Sequence, residues 1–128
     1  MRNSCRVASI LLLLASASHA QQTSYQGKWT GLATAGNGSQ IRVDLTITNA
    51  GGTLRTSPSM NYVTIDQCHD RDIPVTVESQ TESEMTIAIM GAKILKGCID
   101  ETATLKLIDA KTLQGTLKDG RTVKLTRK

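Results

Sequence analysis

Along most of the chain after Gln21, apolar and polar residues alternate with a period of two. Ile41, Val43, Leu45 and Ile47 interleave with Arg42, Asp44, Thr46 and Thr48, which predicts a strand with one buried face and one wet face. The same alternation recurs at Ile73, Val75 and Val77, at Met85, Ile87 and Ile89, and at Ala103, Leu105 and Leu107. Shorter strands are predicted over Thr53–Ser57, which stops at Pro58, and over Asn61–Gln67, with Val63 and Ile65 on one face and Tyr62 on the other. Pro74 puts the start of its strand at an edge, because proline cannot donate to a ladder. Gly91–Cys98 fits either a strand or one helical turn. Eight or nine short strands joined mostly by short loops, with no convincing helix, predict an all-β fold: an antiparallel up-and-down barrel or sandwich.

Side-chain parity then selects the turns, since a one-residue slip sends every side chain to the wrong face. Asn49-Ala50-Gly51-Gly52 as a four-residue loop pairs Ile47 with Leu54. Asp109-Ala110-Lys111 as a three-residue loop pairs Leu107 with Leu113. Lys118-Asp119-Gly120 pairs Gly115 with Val123 and Leu113 with Leu125, and puts Gly120 where a type I turn plus bulge needs positive φ. In this hairpin Leu113, Gly115, Leu117, Val123 and Leu125 face inward, and Gln114, Thr116, Thr122, Lys124 and Thr126 face water.

Composition sharpens the picture at one point. The chain has one Trp, two Tyr and no Phe. Trp29 is therefore the one large ring around which a core is built, and burying it removes roughly 200 Å² from water. Gly27 and Gly31 flank it at even spacing, so the three share a strand face where backbone must pass close to the ring. Ile, Val, Leu and Met supply the remaining bulk. An eight-stranded barrel can be filled by such side chains, so the pattern requires no ligand cavity.

The first twenty residues read as a secretory signal peptide. Arg2 and Arg6 precede an apolar run from Val7 to Ala15, and Ser18-His19-Ala20 is a small-x-small cleavage site. Cleavage leaves residues 21–128 as a single domain with no further transmembrane segment, and it removes two of the arginines behind the formal charge of +4. The expected location is periplasmic or secreted. The remaining charge is uneven: acids dominate Asp66–Glu101, and bases dominate Lys106–Lys128. Lys118, Arg121 and Lys124, with Arg127-Lys128, make the last hairpin a basic edge and a candidate interaction surface, although lysines also protect an edge strand from mispairing. Export and the lack of interleaved aromatics argue against nucleic acid.

Loss of the leader also removes Cys5. Cys68 and Cys98 remain, and an even pair in a small exported domain reads as a disulfide. His69 is the one His left, so zinc spacing is absent, and Asp70, Asp72 and Glu101 lack the spacing of a calcium loop. No triad or phosphate loop stands out. The expectation is a non-enzyme with no catalytic residues, no metal and no cofactor.

Gly27-Lys28-Trp29-Thr30 near the start of a small antiparallel barrel resembles the first strand of the calycins, the lipocalins and more closely the avidins. That resemblance implies an up-and-down barrel sealed at one end by the Trp. The avidin likeness would imply biotin, but that family walls its pocket with further Trp residues, which this chain lacks; only the barrel shape carries over. By size, export and disulfide the chain is also similar to periplasmic lysozyme inhibitors, though their Ser-Gly loop is missing. It looks like other small exported bacterial proteins as well. The expected function is a non-catalytic binding or interaction module. Its partner is an unknown protein, as for an enzyme inhibitor, or a small apolar ligand, as for a lipocalin-like carrier. A filled interior favours the protein partner; an internal void lined by Ile, Val and Met favours the ligand.

Overall fold

A computed structural model describes residues 24–59 and 67–128. The leader expected over residues 1–20, and all but Gln67 of the strand expected over 61–67, lie outside the described residues. Eight antiparallel strands form one closed up-and-down barrel: β1 Gly27–Thr34, β2 Gln40–Thr48, β3 Gly51–Pro58, β4 Ile73–Gln80, β5 Glu84–Met90, β6 Asp100–Asp109, β7 Thr112–Leu117 and β8 Thr122–Arg127. Each strand pairs with its sequence neighbours, and β8 returns to β1 to close the ring. The barrel alternative is thereby selected over the sandwich.

The alternation in the sequence becomes the inside and outside of this barrel. Ile41, Val43, Leu45 and Ile47 are all buried, as are Met85, Ile87 and Ile89. In the last hairpin Leu113 pairs with Leu125 and Gly115 with Val123, as parity required, and Gly120 takes φ 93° in the turn. Leu107 pairs with Leu113, with a bulge between Leu107 and Asp109. Gly91–Lys93 forms one 3-10 turn, which resolves the ambiguous stretch after β5.

The β2–β3 hairpin differs from expectation. Leu54 pairs with Leu45 rather than Ile47, and Thr48 pairs with Gly51. The turn is Asn49-Ala50, and Gly51 re-enters the ladder directly after it with φ 125°. That backbone conformation is open to glycine and strained for other residues, so the chain rejoins β2 two residues earlier than a four-residue loop would allow. The shift is even, and Leu54 still faces inward. Pro74 lies opposite Thr53 in a β3–β4 ladder of three residue pairs, Gly52–Val75 to Leu54–Ile73. The residue expected at an edge thus marks the shortest seam in a barrel with no edge.

The two ends of the barrel differ. At one end the connections β2–β3, β4–β5 and β6–β7 are tight. Trp29 is fully buried there, its Nε1–H donating to the Tyr25 carbonyl at 2.8 Å. The Arg127 guanidinium lies 4.1 Å from the Trp29 ring centroid and donates to the carbonyls of Ser24, Gln26 and Ala110. Tyr25, Met85 and Leu113 complete this plug, each 1% exposed or less. At the other end lie residues 35–39, residues 67–72 just before β4, the connection 91–99 and the turn 118–121. The Cys68–Cys98 disulfide joins residues 67–72 to the connection 91–99.

Candidate functional site

Inward-facing positions change in size from one end of the barrel to the other. Along β1 they run Gly27, Trp29, Gly31, Ala33; along β6 Ala103 precedes Leu105; along β7 Gly115 sits between Leu113 and Leu117. Bulk is concentrated at the Trp29 end. Among the described residues, no Trp, Tyr or Phe reaches the half that holds Ala33 and Ala103. A cavity of about 450 Å³ results, open at the end that carries the disulfide. The alternating pattern required no cavity, and the fold nevertheless has one, with the small side chains of Ala33 and Ala103 among those that line it.

The walls of the cavity are aliphatic. Ile41, Val43 and Leu45 of β2, Ile87 and Ile89 of β5, and Leu117, Val123 and Leu125 of the last hairpin line it, with Leu54 and Ile73 at the β3–β4 seam. Trp29 and Tyr25 are not part of the lining; they form the plug beyond it. Of the methionines expected in such a wall, Met85 is in the plug instead. No Trp, Tyr or Phe side chain lines the cavity among the described residues.

Polar groups gather at the mouth. Arg121 Nη2 donates to Glu101 Oε1 at 2.7 Å, and its Nε donates to Asp119 Oδ2 at 2.8 Å. Thr56 Oγ1 lies 2.7 Å from His69 Nδ1. All five residues line the cavity, as do both cysteines of the disulfide. The Cys68–Cys98 bond, read from the residue count, thus sits at the rim. Among the described residues no group of three His, Cys, Asp or Glu is placed to hold a metal ion. No helix among them is long and apolar enough to cross a membrane.

The basic residues of the last hairpin are not brought together as one surface. Arg121 turns into the mouth, between two carboxylates. Arg127 follows the parity of Val123 and Leu125 onto the inner face and caps Trp29. Lys128 Nζ lies 3.3 Å from Asp44 Oδ1. Lys118 and Lys124 stand exposed on the hairpin. Gly27 and Gly31 flank Trp29 as expected. Gly27 has φ 125°, and a Cβ on Gly31 would lie 1.9 Å from the Lys124 carbonyl oxygen.

Sequence reasoning missed Glu101 and Arg121 as rim groups and Arg127 as a cap. The signal for Arg127 was present in the period-two pattern of β8. Glu101 likewise shares parity with Ala103 and Leu105. The pairing of Arg121 with Glu101 joins residues far apart in sequence and carried no local signal. Compared with protein-family models, curated proteins and solved structures, the chain matches none of them.

Proposed function

We propose that this protein is an exported, non-catalytic carrier of a small apolar molecule held inside the open half of the barrel. The observation that carries this reading is the aliphatic cavity of about 450 Å³, which lies within the range of roughly 300–1,000 Å³ usual for small-molecule sites. Apolar walls drive entry by removing ligand surface from water. A disulfide at the rim ties Cys68 to Cys98, which lowers the ordering cost of binding there. The closed eight-stranded barrel with its Trp-plugged end supports a calycin-like reading of the fold, and within that reading the lipocalin-like alternative over an avidin-like one. The void supports the ligand over the protein partner, and the dispersal of Arg121 and Arg127 away from the last hairpin weakens the case for a basic interaction surface.

The test uses the neutral fluorophore N-phenylnaphthylamine, which brightens in apolar surroundings. The mature protein is expected to enhance and saturate its emission. Ala103→Leu, which projects into the cavity, is expected to abolish that enhancement while the circular dichroism spectrum is retained. Equal enhancement by Ala103→Leu, or none by the parent protein, overturns the reading.

A further inference from the structure

Resting on the cavity as the ligand site, we infer that its ligand is an amphiphile with an uncharged or cationic head group, and that carboxylates are excluded. Among the described residues, the Asp, Glu, Lys and Arg side chains that line the cavity are two carboxylates, Glu101 and Asp119, and one guanidinium, Arg121. In a barrel mouth an arginine is ordinarily the group that would receive a carboxylate. Here its Nη2 is already held by Glu101 at 2.7 Å and its Nε by Asp119 at 2.8 Å, so two of its donor directions are spent on the protein itself. The Glu101 contact is the more sheltered one, with side chains of Glu101 and Arg121 23% and 27% exposed.

A head group arriving at this rim meets two negative charges for one positive. An anionic head must displace a carboxylate from Arg121 or remain beside both. Taking a sheltered charge pair apart is costly, and like charges at contact distance repel more strongly in a partly desolvated site than in water. An ammonium or hydroxyl head finds acceptors instead: Glu101 and Asp119 both line the cavity and have lone pairs beyond those that Arg121 takes. Thr56 and His69 add hydrogen-bonding groups without a fixed negative charge. The apolar tail occupies the aliphatic part of the cavity, and the head stays at the rim.

A matched series with one tail separates the head groups: decylamine, decanol and decanoate, each measured by displacement of N-phenylnaphthylamine at neutral pH and below its micellar range. The expected order is decylamine tightest, decanol next and decanoate at least about tenfold weaker than decylamine, a gap of about 1.4 kcal/mol. Two variants move the balance in opposite directions. Arg121→Gln removes the cation and is expected to widen the preference for the amine. Glu101→Gln combined with Asp119→Asn frees Arg121 and is expected to invert the order in favour of decanoate. Because the two variants are read independently, poor folding of one leaves the other decisive. Equal affinity for all three heads, or decanoate tightest in the parent protein, overturns this inference and leaves the carrier reading standing. Failure of both the fluorophore and all three amphiphiles to bind overturns the carrier reading itself.

Discussion

Gly31 shows how much a single position decides here. Its neighbours are Val43 on β2 and Leu125 on β8, and an added Cβ would meet the Lys124 carbonyl oxygen at 1.9 Å. Gly52 and Gly115 repeat the arrangement, with Cβ positions 1.9 Å from Thr46 O and 2.1 Å from Thr104 O. In each case the blocking carbonyl belongs to the residue just before the glycine's register partner. These are the points at which strands coil tightly enough to close a small barrel. Gly31→Ala is expected to lower stability by about 1–3 kcal/mol in urea unfolding, the usual range for overpacking. An unchanged midpoint would mean that the β1–β8 seam has slack. Asp44 carries the pH dependence at this scale. Burial alone would raise its carboxyl, but hydrogen bonds from Thr30 and Lys128 and the charges of Lys128 and Arg42 hold it below its ordinary 3.8. A carboxylate depressed in the folded state contributes stability that is present above its unfolded value and is lost as pH falls through the folded one. Acid titration of stability should therefore fall away from about pH 4 downward, and Asp44→Asn should flatten that limb by lowering the neutral plateau toward the acid value.

Among the elements, β2 and β5–β8 were legible because one face of each is mainly aliphatic and the other mainly polar. The β2–β3 register was not, because it turned on which of four small or polar residues made the bend. Gly51, with its positive φ, settled that locally. The seam between β3 and β4 was the least legible part, as Pro74 and a short ladder leave it with few cross-strand bonds. Covalent reinforcement lies close by: Cys68 precedes β4 and bonds to Cys98, which precedes β6. The bridge closes a separation of 30 residues, worth roughly 3–4 kcal/mol by chain entropy. Thiol labelling of the native protein from residue 21 onward should find no free sulfhydryl. Cys68→Ser combined with Cys98→Ser should lower stability by about that amount, with earlier hydrogen exchange in β4 than in β8. Two reactive thiols in the parent protein would contradict the bond, and uniform loosening of β4 and β8 would contradict its local role.

For the whole molecule, the sequence made the barrel readable but not its cavity. Counting apolar residues measures total bulk, whereas a void depends on which small residues meet at one level of the barrel. Ala33 and Ala103 come from two strands that are not adjacent, and both reach the cavity only once the barrel has closed. The rim followed the same rule, since Arg121 and Glu101 meet through the fold rather than along the chain. A cavity kept open against close packing forgoes dispersion contacts, so the unliganded protein is less stable than its barrel permits. Ala103→Leu places three further carbon atoms in that space. At about 0.8 kcal/mol per buried CH₂, less rotamer entropy, the ligand-free variant is expected to gain about 1 kcal/mol. That corresponds to a rise in melting temperature of about 4–8 °C for a domain of this size. The parent should overtake it when ligand is added, because binding to the folded state contributes about 2.7 kcal/mol at a hundredfold excess over Kd. Differential scanning calorimetry with and without decanol reads both effects. A variant that melts below the parent without ligand would show that the space is already packed in solution. A variant that shifts with decanol as far as the parent does would place the ligand somewhere other than the barrel interior.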